Sequence, residues 1–394
     1  MSFAVVNLGC RVNRAESDLI IKKMKETDVV APLEEADVVF VNTCTVTGVA
    51  EKKTRKTVRG VLENNKHAKV IVTGCAAEIS PDYYEGLSDR IEVVSKFDLL
   101  ANTSKPLDVD STAISRVNVK IQDGCDNACT FCIVHIARGK SISIKKEDVI
   151  RQCVELDKQG ASEIVLTGIN LGNYSDPSLA ELLRELLDST KNCRFRISSI
   201  EPPEVTDELL ETIQNAGSRV CKHLHMPLQS GSNRILKLMD RHYSAERFIS
   251  LCEKIYSLMP NFSLSTDIIV GFPGETEADF KDTFSLAKRL HFSKIHVFPY
   301  SKREGTPACS MENQIPDGVK KQRASELRKL SNALRIQEFD KREGCQEWVV
   351  TENDCRATTD SFFTIKSATF NEPGELLLVI LSKEMFCEGF TKAI

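Results

Sequence analysis

The sequence predicts an α/β fold in three parts: an N-terminal flavodoxin- or Rossmann-like parallel sheet, a central partial (β/α)6 barrel, and a small C-terminal all-β domain. Three observations carry that expectation. Apolar runs alternate with helical spacings through residues 1–101. The alternation restarts after residues 102–116 (NTSKPLDVDSTAISR), a linker without periodicity. Past residue 345 the pattern changes to short strands broken by turns such as Glu372-Pro373-Gly374-Glu375.

In the first part, strands are expected over residues 3–8, 36–42, 69–73 and 91–95, with helices over 14–25 and 50–63. Strands separated by helices imply parallel pairing through right-handed crossovers. No Gly-rich phosphate fingerprint follows the first strand. The second part, 117–344, offers strands at 117–122, 163–167, 195–199, 221–226, 264–270 and 294–298. Helices at 145–159, 178–189, 207–216, 245–257 and 277–290 separate them. Six such units fall two short of a closed barrel, so the mouth should stay wide. A basic helix over 319–342 follows, with eight Lys/Arg against three acids. Residues 345–394 then form the all-β part.

Composition narrows the function. The longest apolar run is residues 376–381, far short of the roughly 18 needed for a membrane span. The N-terminus has no basic segment ahead of an apolar one, so a cytoplasmic protein is expected. The 56 acids and 52 bases leave a formal charge of −4, so nucleic-acid binding would have to use local patches. Fourteen cysteines are the one outlying number in the composition. In a long chain without an export signal, grouped cysteines read first as metal or cluster ligands.

One group is compact: Cys125, Cys129 and Cys132 in the string CDNACTFC, directly after the first barrel strand. Three thiolates on a tight loop can hold three irons of a [4Fe–4S] cube and leave the fourth open to a cosubstrate. Loops after barrel strands form the active face. A structural zinc loop would need a fourth N or S ligand, and His135 is the nearest candidate. A second group is dispersed. Cys10, Cys44 and Cys75 each lie one or two residues past an expected parallel strand. Carboxyl ends of such strands converge on one edge, so the three thiols can meet there. Taken singly each would be an ordinary buried cysteine; the threefold coincidence favours a cluster. The remaining eight cysteines show no ligand grouping and read as core or surface residues.

The strings VNLGCRVNRAESD, VVFVNTCTVT, VIVTGC, VKIQDGCDNACTFC, EIVLTGINLG, RISSIEPPEVTDEL, HLHMPLQSGSN and TDIIVGFPGETEADF run in order through most of the chain, and the likeness they carry covers residues 1–345. Together they resemble the methylthiotransferases of the radical S-adenosylmethionine (SAM) superfamily, most closely the branch acting on threonylcarbamoyl-adenosine in tRNA. The resemblance implies two [4Fe–4S] clusters, one on Cys125, Cys129 and Cys132 and one on Cys10, Cys44 and Cys75. It implies that the first cleaves SAM to a 5′-deoxyadenosyl radical. The second supplies sulfur, methylated by another SAM, for insertion at C2 of the base. A low-potential electron donor such as flavodoxin or ferredoxin is implied as well. Phe131, Gly168, Asn170, Ser199, Glu201, Asp267 and Gly271 become candidate SAM contacts, although turn chemistry could explain the glycines. His223 and His225 share a strand face, and with no third ligand in view they read as hydrogen-bonded structural histidines.

Lys52, Lys53, Arg55, Lys56 and Arg59 crowd the helix after Cys44 and are candidate RNA contacts. The family normally ends in a tRNA-gripping TRAM barrel. Residues 345–394 are short for one and carry eight acids against four bases, unhelpful for phosphate binding. They are expected to be a shortened or degenerate TRAM-like domain. Two alternatives remain: the same chemistry on isopentenyl-adenosine in tRNA or on a ribosomal-protein aspartate, and a non-catalytic metal-binding RNA adaptor.

Overall fold

A computed structural model describes residues 1–100 and 115–387. The linker expected over 102–116 therefore lies outside the described residues except at its end, where Arg116 opens the first barrel strand.

The N-terminal sheet is wholly parallel, with Ser2–Asn7 between Val29–Val30 and Val38–Thr43, then Lys69–Gly74 and Ile91–Val93. In chain order this is 2-1-3-4-5, the flavodoxin-type doubly wound arrangement. Alternation builds both faces. Val39, Val41, Val70 and Val72 face the helix Gly48–Asn64 through Val58 and Val61. Phe3 and Phe40 face the helix Arg11–Lys25 through Ile20. The two-residue edge strand carries no period and was invisible in the sequence.

The central domain holds six parallel strands in sequential order: Arg116–Lys120, Glu163–Thr167, Arg194–Ile197, His223–His225, Ser263–Val270 and Lys294–Pro299. Parallel bridges at Phe195–Val220 and Ser199–His225 join the two halves. Ser or Thr caps open most of the outer helices, and Thr276 with Asp279 forms a reciprocal capping box. The open side is not empty. The N-terminal helix Arg11–Lys25 packs along the first barrel strand, where Lys120 meets Glu16 at 3.1 Å. The basic helix, Asp317–Asp340, covers the last strand, with Ser331 Oγ accepting from the Ile295 amide at 3.0 Å. Short helices at Val134–Arg138 and Asn233–Leu238 were not expected. Five or six residues are too few to display a helical period.

The C-terminal domain is an antiparallel sheet of Thr364–Lys366, Arg356–Thr359, Gln346–Glu352 and Leu376–Ile380 in that order. It docks on the amino-terminal rim of the barrel, away from the cysteine loop. Arg194 donates to Trp348 O (2.9 Å) and Asp360 Oδ1 (2.6 Å), and Arg196 donates to Thr359 O (2.9 Å). Glu163 holds both guanidiniums from the barrel side, at 2.7 Å each. All four charged side chains are buried.

Candidate functional site

The CDNACTFC loop leaves the barrel through Gly124, whose φ is +71°. A Cβ there would sit 1.9 Å from the Lys140 carbonyl oxygen, so the loop can close only over glycine. The Cys125 amide bonds Gly139 O at 3.1 Å and the Cys132 amide bonds Cys129 O at 3.0 Å. Burial pushes the Cys125 thiol up to about 11 and the Cys132 thiol up to about 12, and a charge on Cys129 would raise both further. Burial raises Cys129 too, opposed by Arg241, which donates to its sulfur at 3.1 Å. Arg241 also pairs with Glu201. Cys129, Glu201, Glu204, Arg241 and Tyr243 line a cavity of about 80 Å³.

The other candidate cosubstrate residues divide. Glu201 opens onto the cavity beside Cys129. Phe131 packs on the cluster of Ile235, Met239, Phe272 and Tyr300 behind the loop. Ser199 bridges to His225, and its carbonyl accepts from the Leu171 amide at 3.1 Å. The buried Asn170 side chain accepts from the Gly172 and Glu201 amides and donates to Glu204 at 3.0 Å, all within its own loops. Gly168 abuts Gln122, and Gly271 (φ +72°) abuts Lys320, where a Cβ would come within 2.3 Å. Asp267 sits mid-strand and pairs with His225 at 3.3 Å.

Cys10, Cys44 and Cys75 leave three adjacent strands of the N-terminal sheet at their carboxyl ends. Cys10 and Cys44 flank the point where strand order reverses, the crevice in which doubly wound sheets bind ligands. Burial pushes the Cys44 thiol up to about 11, and charges on Cys75 and Cys10 would add to that. Glycine is required here too: at Gly74 (φ +90°) a Cβ would meet Asn42 Oδ1 at 2.4 Å. The buried Cys75 accepts from Arg138 Nε at 3.2 Å. Arg138 belongs to the barrel domain, six residues beyond Cys132, so this contact joins the two domains at Cys75. Its guanidinium also donates to Asn13 (3.0 Å), Glu16 (2.9 Å) and Asp123 (2.8 Å). Lys120 reaches the same two carboxylates at 3.1 and 3.2 Å. Burial opposes the charge on Asp123, yet Arg138, Lys120 and Lys96 hold its carboxyl well below the usual range.

A cluster of cationic and aromatic side chains joins the domains. Arg11, next to Cys10, stacks on the Phe362 ring at 5.1 Å, and Arg196 and Arg116 approach the same ring at 4.9 and 6.0 Å. Phe362 comes from the C-terminal domain and also stacks on His223 at 4.6 Å. His223 and His225 both share hydrogen bonds with Ser265 Oγ at 2.9 Å. His223 is therefore the structural residue its sequence pattern suggested. His225 differs: Asp267 and His296 bring potential ligand atoms to within 4.8 Å of its own. The third partner missing from the sequence arrives on the next two strands, because barrel neighbours need not be sequence neighbours.

Lys52, Lys53, Lys56 and Arg59 are exposed on the helix after Cys44. Arg55 is not free, being paired with Glu51 and stacked on Tyr83 at 4.3 Å. The basic helix Asp317–Asp340 spends much of its charge internally. Its buried Arg323 pairs with Glu275, and Arg335 donates to Ser293 O at 3.1 Å. Sequence reasoning missed Arg138, Arg241, Glu204 and His296. No spacing marks any of them; each gains its position through tertiary packing.

A six-stranded parallel partial barrel with CxxxCxxC after its first strand defines a radical SAM protein. Residues 119–287 match the family described as "Radical SAM superfamily", and residues 2–95 match "Uncharacterized protein family UPF0004". Among solved structures the fold is similar to the radical SAM methyltransferase TsrM from Kitasatospora setae. That match has a TM-score of 0.54 and 13% identity, covering 97% of this chain and 86% of that one. The threonylcarbamoyladenosine tRNA methylthiotransferase MtaB of Bacillus subtilis is 40% identical, covering 83% of this chain and 79% of the relative. MtaB of Thermotoga maritima is 36% identical over 84% of this chain and 82% of its own. The tRNA-2-methylthio-N(6)-dimethylallyladenosine synthase of Endomicrobium trichonymphae is 33% identical over 89% of each. The chain belongs to the radical SAM methylthiotransferase family, an enzyme family that uses SAM and a [4Fe–4S] cluster.

Proposed function

We propose that this enzyme methylthiolates C2 of N6-threonylcarbamoyladenosine beside the anticodon of tRNA. Cys125, Cys129 and Cys132 hold the radical SAM cluster, and Cys10, Cys44 and Cys75 hold a second [4Fe–4S] cluster. One observation carries the reading: three thiols share one barrel loop, three more leave adjacent strand ends of the N-terminal sheet, and Arg138, six residues beyond Cys132, donates to Cys75 of the second group. The donor sets fit such clusters, since soft thiolates suit iron–sulfur centres, and Gly124 ahead of Cys125 and Gly74 ahead of Cys75 leave no room for a side chain. When bound, the clusters and SAM supply the one-electron and sulfur chemistry that an unactivated aromatic C–H requires.

The chain's own residues bind and orient. Arg241 fixes Cys129 and holds Glu201 at the mouth of the small cavity, where Glu201 is available to a ribose hydroxyl. Phe131 backs the cysteine loop, and Gly168, Asn170, Ser199, Asp267 and Gly271 shape the surrounding wall. Arg138 orients Cys75 and neutralises charge at the sulfur side. Lys52, Lys53, Lys56 and Arg59 meet tRNA phosphates. Arg55, being paired, stiffens that helix. A low-potential donor such as flavodoxin or ferredoxin delivers electrons. No described helix is long and apolar enough to cross a membrane, which agrees with a cytoplasmic setting.

The threonylcarbamoyl substrate is supported by the 40% identity to MtaB against 33% to the dimethylallyladenosine synthase. Nucleoside analysis of tRNA from cells with and without the gene tests it. Loss of 2-methylthio-threonylcarbamoyladenosine is expected; loss of the methylthio-dimethylallyl nucleoside instead would refute the substrate assignment.

A further inference from the structure

Arg11 is the one guanidinium of the Phe362 cluster without an anionic partner among the described residues. Arg196 is held by Glu163 at 2.7 Å and Arg116 by Glu352 at 2.9 Å. Among the described residues Arg11 makes only its stacking contact with Phe362 at 5.1 Å, and no hydrogen bond or ion pair reaches its guanidinium. The nearest acid, Glu163, is already shared by Arg194 and Arg196. Such a half-buried cation, with two like charges beside it, is costly unless an anion completes it.

The surroundings show which anion. Arg11 follows Cys10 directly, the thiol at the point where the strand order of the N-terminal sheet reverses. His225, Asp267 and His296 sit side by side on the last three barrel strands, each solvent-accessible. His225 and Asp267 lie toward the Glu201–Arg241 pair beside Cys129, and the Arg11 guanidinium lies over the Phe362 ring with Arg116 and Arg196. A base side chain that reaches Arg11 meets a cluster of guanidiniums around an aromatic ring.

We propose that Arg11 receives the carboxylate of the substrate's N6 side chain through a charge-assisted, fork-shaped hydrogen bond. This rests on the threonylcarbamoyl reading of the substrate, because a dimethylallyl group has no carboxylate. It makes Arg11 a specificity residue that separates an acidic side chain from an apolar one. The partnerless guanidinium discriminates twice: it rewards the acid, and it is left stranded by an apolar side chain.

The test uses the full chain with its clusters reconstituted anaerobically. Three anticodon stem-loop RNAs are compared by fluorescence anisotropy and by turnover: threonylcarbamoyladenosine, its neutral methyl ester, and dimethylallyladenosine. Wild type should bind the acid about ten- to a hundredfold better than the ester, the range of a charge-assisted hydrogen bond. Arg11→Gln should bind acid and ester alike, and Arg11→Lys should keep part of the preference. Because acid and ester are compared on the same protein, a general loss of folding or iron in a variant cancels. If wild type shows no preference for acid over ester, or if Arg11→Gln keeps the full preference, the proposal is overturned. A raised KM for SAM in Arg11→Gln, equal with both RNAs, would also overturn it, assigning the guanidinium to the cosubstrate's carboxylate. If wild type instead methylthiolates only the dimethylallyl stem-loop, the substrate reading itself is wrong.

Discussion

Replacing Glu163 by Gln should loosen the C-terminal sheet from the barrel by stranding two cations. Glu163 is fully buried and accepts from Arg194 Nε (2.9 Å), Arg196 Nε (2.7 Å) and Arg196 Nη2 (3.0 Å). Gln preserves the shape and removes the charge. Arg194 and Arg196 would then share Asp360 alone, and Asp360 contacts only Arg194 through its carboxylate, at 2.6 Å. Asp360 is also a weak counter-charge: burial pushes its carboxyl up to about 6, with Arg194 only partly offsetting that. Among the described residues its Oδ2 has no hydrogen-bond partner. Breaking a buried pair from one side costs about 3–5 kcal/mol. For a domain of this size that lowers the first thermal midpoint by on the order of 10 °C. Calorimetry measures it, and limited proteolysis should show earlier release of the C-terminal sheet.

Two controls separate stranded charge from general core damage. Adding Arg196→Met to Glu163→Gln removes one orphaned cation and should recover part of the loss, a coupling that a double-mutant cycle measures. The pH dependence has a fixed sign. Burial opposes the Glu163 charge, but Arg196 and Arg194 overcome it and hold its pKa well below the ordinary 4.5. Its contribution is therefore complete above about pH 4.5 and fades as pH falls further. The variant's deficit should be full at pH 7 and narrow in acid. A midpoint change under about 2 °C, or a double variant no more stable than the single one, would refute this reasoning.

Three further outcomes are expected. Anaerobically reconstituted protein should hold about eight irons, and Cys10→Ala with Cys44→Ala about four; iron analysis showing no loss would remove the second cluster. Cys129→Ala or Cys132→Ala should abolish reductive SAM cleavage, and normal 5′-deoxyadenosine output would defeat the assignment of those thiols. Neutralising Lys53, Lys56 and Arg59 should weaken tRNA binding more than neutralising Lys366 and Lys383 of the C-terminal sheet. Filter binding at several salt concentrations should also show a log–log slope shallower by up to roughly 0.7–0.9 per lost phosphate contact; the reverse ranking would make the acidic sheet the RNA grip.

By itself the sequence determined the parts that are local or strictly periodic. The six barrel strands, their outer helices and the N-terminal alternation were legible because a core-facing strand or helix must repeat at period 2 or 3.6. CxxxCxxC was legible because three ligands lie within one loop. The dispersed trio Cys10, Cys44 and Cys75 was legible only because parallel topology converts equivalent strand ends into neighbours. What the tertiary structure alone decided is which charges face one another across separate elements. Arg138 reaches Cys75 from another domain, Arg241 reaches Cys129 from beyond the fourth strand, and His296 joins His225 and Asp267 from the last strand. It also decided that Gly168 abuts Gln122 and Gly271 abuts Lys320, that Arg55 is paired, and that Arg11 has no anionic partner among the described residues. A side chain's partner depends on burial and approach in three dimensions, and neither residue type nor spacing encodes those.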